Sequence, residues 1–212
     1  MIKVGCTGGI AAGKSLLCSY LGELGASVID ADVVTHRLLA TNLDLKNSLI
    51  SHFGTDILDH DGTISRLRLG EKAFSSLGSG RMLNEITHPY IRKEISFQID
   101  VLERQNVPPK VVVLEGALLV ETGAVDFYGL RHLIVVEAPD DVVSYRLRLL
   151  RGMAQDTIDQ RIAAQMEKLR RIRQGDYVVI NSGSEKMLYK MAVNVYSDIT
   201  NRLGSTQAVT DT

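Results

Sequence analysis

The chain has 212 residues, 45% of them hydrophobic, and 24 Lys and Arg stand against 25 Asp and Glu. That length suits one α/β domain with an inserted subdomain, and two full domains would be cramped. A net charge of −1 supplies no broad basic field, so nucleic-acid wrapping and membrane-surface adhesion find no support, and no apolar stretch approaches a membrane span.

The first predicted element is a short strand (Ile2, Val4, Cys6) that runs into Gly8-Gly9-Ile10-Ala11-Ala12-Gly13-Lys14-Ser15, followed by a helix from Leu16 with an apolar face. Gly8-x4-Gly13-Lys14-Ser15 between a strand and a helix is the pattern of a phosphate-binding loop. Its backbone N–H groups turn onto phosphate oxygens, the Lys reaches the terminal phosphates, the Ser hydroxyl meets Mg²⁺, and the helix dipole favours the bound anion. The strand begins too early for a signal peptide, so the expected compartment is a reducing cytosol, with Cys6 and Cys18 as buried thiols.

Ala26-Ser27-Val28-Ile29 reads as a second strand closing at Asp30-Ala31-Asp32. Strand alternation would send both carboxylates to one side at the ligand-binding edge of a parallel sheet, to act together or with one orienting the other. The competing reading is that Asp32 merely caps the next helix, Val33 to Leu39. From Thr41 to Arg104 the pattern is helical, with loop signals at 54–56, 59–63 and 75–80, which predicts an inserted helical subdomain holding the second substrate. Within it, Pro89 fits the first turn of a helix carrying Ile91, Ile95, Ile99 and Leu102, with Thr87 or His88 before that turn. A lone histidine such as His88 is more often a structural hydrogen-bonder than a ligand.

Val111 to Glu115 is an apolar run with an acidic end, as in a strand buried on both faces. Glu115 is either a Mg²⁺-holding acid or an ordinary strand-end charge. His132 to Glu137 and Tyr177 to Asn181 give two more strands, the fourth and fifth. Between them, residues 146–173 hold eight Lys or Arg against three acids, in segments with helical apolar spacing. Some of these cations belong on a solvated helix face, but phosphoryl transfer also calls for cationic side chains on a lid, and Arg146 and Arg151 are the candidates. A last helix opens at Ser182 to Glu185, and a polar tail follows from Gly204. The predicted fold is a three-layer α/β phosphate-loop fold with a five-stranded parallel sheet: core 1–35, 106–140 and 176–204, helical insert about 36–105, lid about 141–175, and tail 205–212.

These stretches together resemble the dephospho-coenzyme A kinases, which phosphorylate the ribose 3′-hydroxyl of dephospho-coenzyme A. Thr7 to Ser15 is similar to the family's TGGIGSGKS loop and Val28 to Asp32 to its VIDAD strand end. Leu83-Asn84 with His88-Pro89, Leu118-Leu119-Val120-Glu121, Arg161 to Gln165, and Asp176 to Asn181 are similar to its later signatures. Ala117, Gly152 and Gly175 depart from the family's usual proline, aspartate and alanine.

The resemblance implies that Gly8, Gly9, Ile10, Ala11, Ala12, Gly13, Lys14, Ser15 and Leu16 hold ATP, and that Ser15 and Asp32 serve Mg²⁺. It implies that Asp32 faces the 3′-hydroxyl as base, orienter or metal holder, with Lys14, Arg146 and Arg151 acting on the transferring phosphate. His88, Pro89 and Leu118 would line the acceptor site for dephospho-coenzyme A. Charge and composition give no nucleic-acid or membrane partner, and the expected state is a monomer, with an oligomer as the alternative. The alternative is another small-molecule kinase of this architecture, such as a nucleoside monophosphate kinase.

Overall fold

The structure is a computed structural model that describes residues 1–74, 79–150, 152–163 and 165–207. Contacts divide the chain into two units, one of residues 1–29 together with those from Leu102 onward, the other Asp30–Val101.

The first unit is built on a five-stranded parallel sheet of order β2-β3-β1-β4-β5, with β1 (Ile2–Gly8) in the middle, then β2 (Ser27–Asp30), β3 (Val111–Glu115), β4 (His132–Glu137) and β5 (Tyr177–Ile180). β1 pairs in parallel with β3 from Ile2 opposite Val111 and with β4 from Val4 opposite His132. β3 and most of β4 are buried on both faces, which is why their sequences run apolar without alternation.

On one face, α1 (Lys14–Glu23) and α10 (Glu185–Gln207) bury Leu17, Leu21, Leu188, Ala192 and Ile199 against Val4, Cys6, Ile134 and Val136. On the other, Gly5 leaves room for Leu119, Leu130 and Leu133, whose methyl groups a Cβ would meet at 2.8 to 3.3 Å. α10 runs on to Gln207, where a polar tail was expected from Gly204. Cys6 and Cys18 are free thiols buried beneath the loop, and hydrogen bonding to Cys6, then burial and the Glu115 carboxylate, push the Cys18 thiol well above its ordinary range. Both are inert packing groups.

The second unit is helical: α2 (Ala31–Thr41), α3 (Leu43–Phe53), α4 (Arg66–Phe74) and most of α5 (Ser79–Glu103). Asn42 caps α3 by accepting from Leu45 N–H at 2.9 Å, and Leu45, Leu49, Phe53, Ile57, Ile64 and Leu69 are buried. Leu58 and Ile64 form an isolated antiparallel bridge around the Asp59 to Thr63 turn, and part of the 75–80 loop signal (75–78) lies outside the described residues.

Two local expectations are corrected here. Pro89 does not open a helix but sits inside α5, where it lacks the N–H that would bond Glu85 O. The helix carries through because its flanks bury Ile95 and Ile99, and tertiary packing outweighs a local cost of about 3 kcal/mol. Asp32 is not the cap of α2: that residue is Asp30, whose Oδ1 accepts from Asp32 N–H at 2.8 Å and Val33 N–H at 3.0 Å. Helix begins at Ala31, so the strand alternation expected to align the two carboxylates ends before Asp32.

α6 (Ala124–Phe127) lies between β3 and β4, and α7 (Asp140–Tyr145), a π-helical turn (Arg146–Leu150), α8 (Gln155–Ala163) and α9 (Lys168–Ile172) join β4 to β5. Among the described residues, no helix is long and apolar enough to cross a membrane.

Candidate active site

The loop between β1 and α1 is shaped by two glycines that nothing larger could replace. A Cβ on Gly8 would stand 2.0 Å from Val136 O, and one on Gly13 (φ +98°) would stand 2.2 Å from Asn181 Nδ2. Between them Ala11 takes φ +54°, the one positive φ among the described non-glycine residues, a conformation that costs an L-residue about 1–2 kcal/mol. That cost is tolerated because the loop is held from several sides. Arg146 Nη1 donates to Ala11 O at 2.8 Å, and Asn181 Nδ2 donates to Ala12 O at 2.8 Å. Lys14 Nζ donates to Gly8 O at 3.2 Å and Gly9 O at 3.3 Å, which keeps the ammonium over the loop.

The loop's amides fall into two sets. Gly9 N–H donates to Val136 O, Ile10 N–H to Gln165 Oε1, and Ala12 N–H to Gly9 O, so these three are spent within the protein. The N–H groups of Lys14, Ser15 and Leu16 open α1, where a helix has no internal acceptors, and they carry the dipole's positive end. Ser15 Oγ donates to Glu115 Oε1 at 2.7 Å, and Glu115 is 7% exposed. A hydroxyl beside a carboxylate is the hard-oxygen donor set that Mg²⁺ accepts together with phosphate oxygens and water, so this pair fits that ion.

A cleft of about 800 Å³ opens from the loop. It is lined by Ala11, Gly13, Lys14, Ser15 and Leu16, by Asp141, Val142, Tyr145 and Arg146 on the α7 side, and by Asn181 to Gly183 with Glu185 ahead of and at the start of α10. Lys14, Ser15 and Arg146 are thus brought together around one cavity. Arg151 lies outside the described residues.

Asp32, exposed in the first turn of α2, and His88 and Pro89, on α5, belong to the helical unit. Burial, then the Arg92 charge, lower the His88 pKa, which favours the neutral imidazole. Leu118 is half exposed in the turn after β3. That turn lacks the family's proline, and Thr7 Oγ1 pins it by donating to Ala117 O at 3.2 Å.

Sequence reasoning passed over Asn181 as a site residue. It is 3% exposed, donates to the loop at Ala12 O, and accepts from Gly183 N–H at 3.2 Å. The available signal was a polar residue closing the apolar run Val178-Val179-Ile180. Replacement by alanine leaves Ala12 O without its donor, so Asn181→Ala is expected to lose about 1–3 kcal/mol of stability. Urea denaturation checks this, and an unchanged midpoint would remove Asn181 from the loop's support.

A central parallel strand, a glycine loop and a helix whose first-turn amides face a cleft with lysine and arginine beside it define a protein of the phosphate-loop fold. A family model described as dephospho-CoA kinase matches residues 2–186, and the chain belongs to that family. A dephospho-CoA kinase of Aquifex aeolicus is 35% identical over 200 residues, which cover 94% of this chain and 98% of its own length. Among solved structures, a protein of Thermus thermophilus superposes with a TM-score of 0.75 at 26% identity, covering 93% of this chain and 97% of that one. Dephospho-CoA kinase from Campylobacter jejuni gives 0.61 at 25% identity, covering 94% and 97%.

Proposed function

We propose that the protein transfers the γ-phosphoryl group of ATP to the ribose 3′-hydroxyl of dephospho-CoA, giving coenzyme A and ADP, as a cytosolic monomer. Family membership carries this reading, and the loop-lined cleft with Lys14 and Arg146 supports it. The first-turn amides of α1 and the Lys14 ammonium take the phosphates, and Arg146 lies against the same loop where charge spreads during transfer. Arg151 is assigned the same task as Arg146 on the strength of the resemblance alone.

Ser15, with Glu115 behind it, and Asp32 would hold Mg²⁺ beside the phosphates, and the ion supplies neutralisation of their charge. Asp32 orients the acceptor hydroxyl or takes its proton as the oxygen bonds to phosphorus and the bond to the bridging oxygen of ADP breaks. His88, Pro89 and Leu118 are assigned to acceptor binding. Such a transfer passes through a loose transition state in most analyses, so alignment of hydroxyl and phosphorus does much of the work.

The test is direct. Purified protein with MgATP should convert dephospho-CoA to a product heavier by one phosphate, with ADP formed in equal amount. ADP formation with nucleoside monophosphates and none with dephospho-CoA would transfer the protein to a different kinase class.

A further inference from the structure

Behind the loop lies an assembly that the reaction described above leaves unused. Glu137, at the end of β4, is 3% exposed and Arg171, on α9, is 5% exposed, and Arg171 Nε donates to Glu137 Oε1 at 2.5 Å. Arg171 Nη1 donates to Met166 O at 2.9 Å. The adjacent Gln165 presents Oε1 to Ile10 N–H at 2.9 Å. The pair also backs the loop itself, since a Cβ on Gly9 would stand 3.0 Å from Glu137 Oε2 and 3.2 Å from Arg171 Nη2.

A buried ion pair is weak support for stability, because its desolvation offsets its attraction, and its best-attested use is to fix one arrangement over others. Here it fixes the backbone at Met166, next to the side chain that holds Ile10. The amide of Ile10 is a donor in a loop otherwise shaped to attract anions, and left alone it would have no fixed acceptor. Gln supplies the oxygen without charge. A carboxylate there would supply the same oxygen and set a negative charge near the phosphates.

We infer that Gln165 is a positioning residue for nucleotide binding, holding the phosphate loop in shape through Ile10 N–H, with the Glu137–Arg171 pair holding Gln165 in place. It touches no reacting atom in this scheme, and its effect passes through the loop. The inference rests on the nucleotide-binding reading given above.

The experiment uses the whole protein and its Gln165→Leu variant, which keeps side-chain bulk and removes the acceptor. Calorimetry with MgADP should show binding about tenfold weaker in the variant, the scale of one hydrogen bond's net worth. The KM for MgATP should rise in parallel, while the acceptor KM and kcat stay near those of the unaltered protein and the melting temperature falls no further than in Asn181→Ala. ADP affinity within twofold of the unaltered protein would overturn the inference. So would weakened binding matched by an equal rise in acceptor KM and a melting temperature below that of Asn181→Ala, since that is the signature of a general structural defect. Failure of the unaltered protein to bind ADP at all would instead bring down the nucleotide reading, so the two failures are separable.

Discussion

Lys14→Ala is expected to lower turnover by roughly two to three orders of magnitude, the scale for losing one well-placed charge-stabilising donor, and to weaken nucleotide binding as well. Lys14 is the first residue of α1, and its ammonium is held over the loop by Gly8 O and Gly9 O. Alanine is a strong helix former, so α1 should persist with its first-turn amides still presented. What disappears is the single positive charge proposed to meet the outer phosphates. Because that charge meets phosphate in the ground state and more strongly during transfer, both the MgATP dissociation constant and kcat should change. Calorimetry with a coupled ADP assay measures the two separately. Unaltered values for both would remove Lys14 from the phosphate site.

Asp32→Asn is the second large effect, with turnover reduced by about 10²- to 10⁴-fold, the range for a lost general base or orienter, and ATP binding close to normal. The helix boundary makes this substitution informative. Were Asp32 the cap of α2, an effect on rate would be entangled with an effect on folding. Asp30 is the cap, through Oδ1 to the N–H groups of Asp32 and Val33, and Asp32 is exposed in the first turn. Loss of one acid near the helix's positive end should cost only about 0.3–1 kcal/mol. A melting temperature near normal with turnover collapsed is therefore the expected pair of results, and unaltered turnover would sink the proposed role.

The loop and the parallel sheet were legible because their constraints are local. Gly8 and Gly13 are demanded by contacts closer than any Cβ allows, and a strand buried on both faces has to be apolar, as Val111 to Leu114 are. Pro89 was misread because the rule that places proline in a helix's first turn concerns a single missing N–H. The burial of Ile95 and Ile99 that keeps α5 continuous is a property of the folded unit. Asp30 and Asp32 were ambiguous for a related reason. Aspartate caps helices well at either position, and the choice turns on the residue at which the backbone leaves β2.

The positive charge of residues 146–173 was visible as composition, but the partners of individual residues were not. Arg171 is buried on Glu137, Lys168 bonds Ala138 O and Asp140, and Arg146 reaches Ala11 O, so one cationic run divides into separate structural tasks. Gln165 and Asn181 stayed hidden because their partners are backbone atoms 155 and 169 residues away. No spacing rule within a short window connects such positions.

The middle position of β1 sets an order of events when the protein opens. Flanked by β3 and β4 with Val4 and Cys6 fully enclosed, β1 is bonded along both edges, so its amide protons should trade with deuterated solvent only when the whole sheet comes apart. The phosphate loop hangs from the end of that strand. Its anchor on β1 therefore belongs to the last part of the molecule to melt, while the contacts from Arg146, Gln165 and Asn181 that shape the loop can be lost earlier.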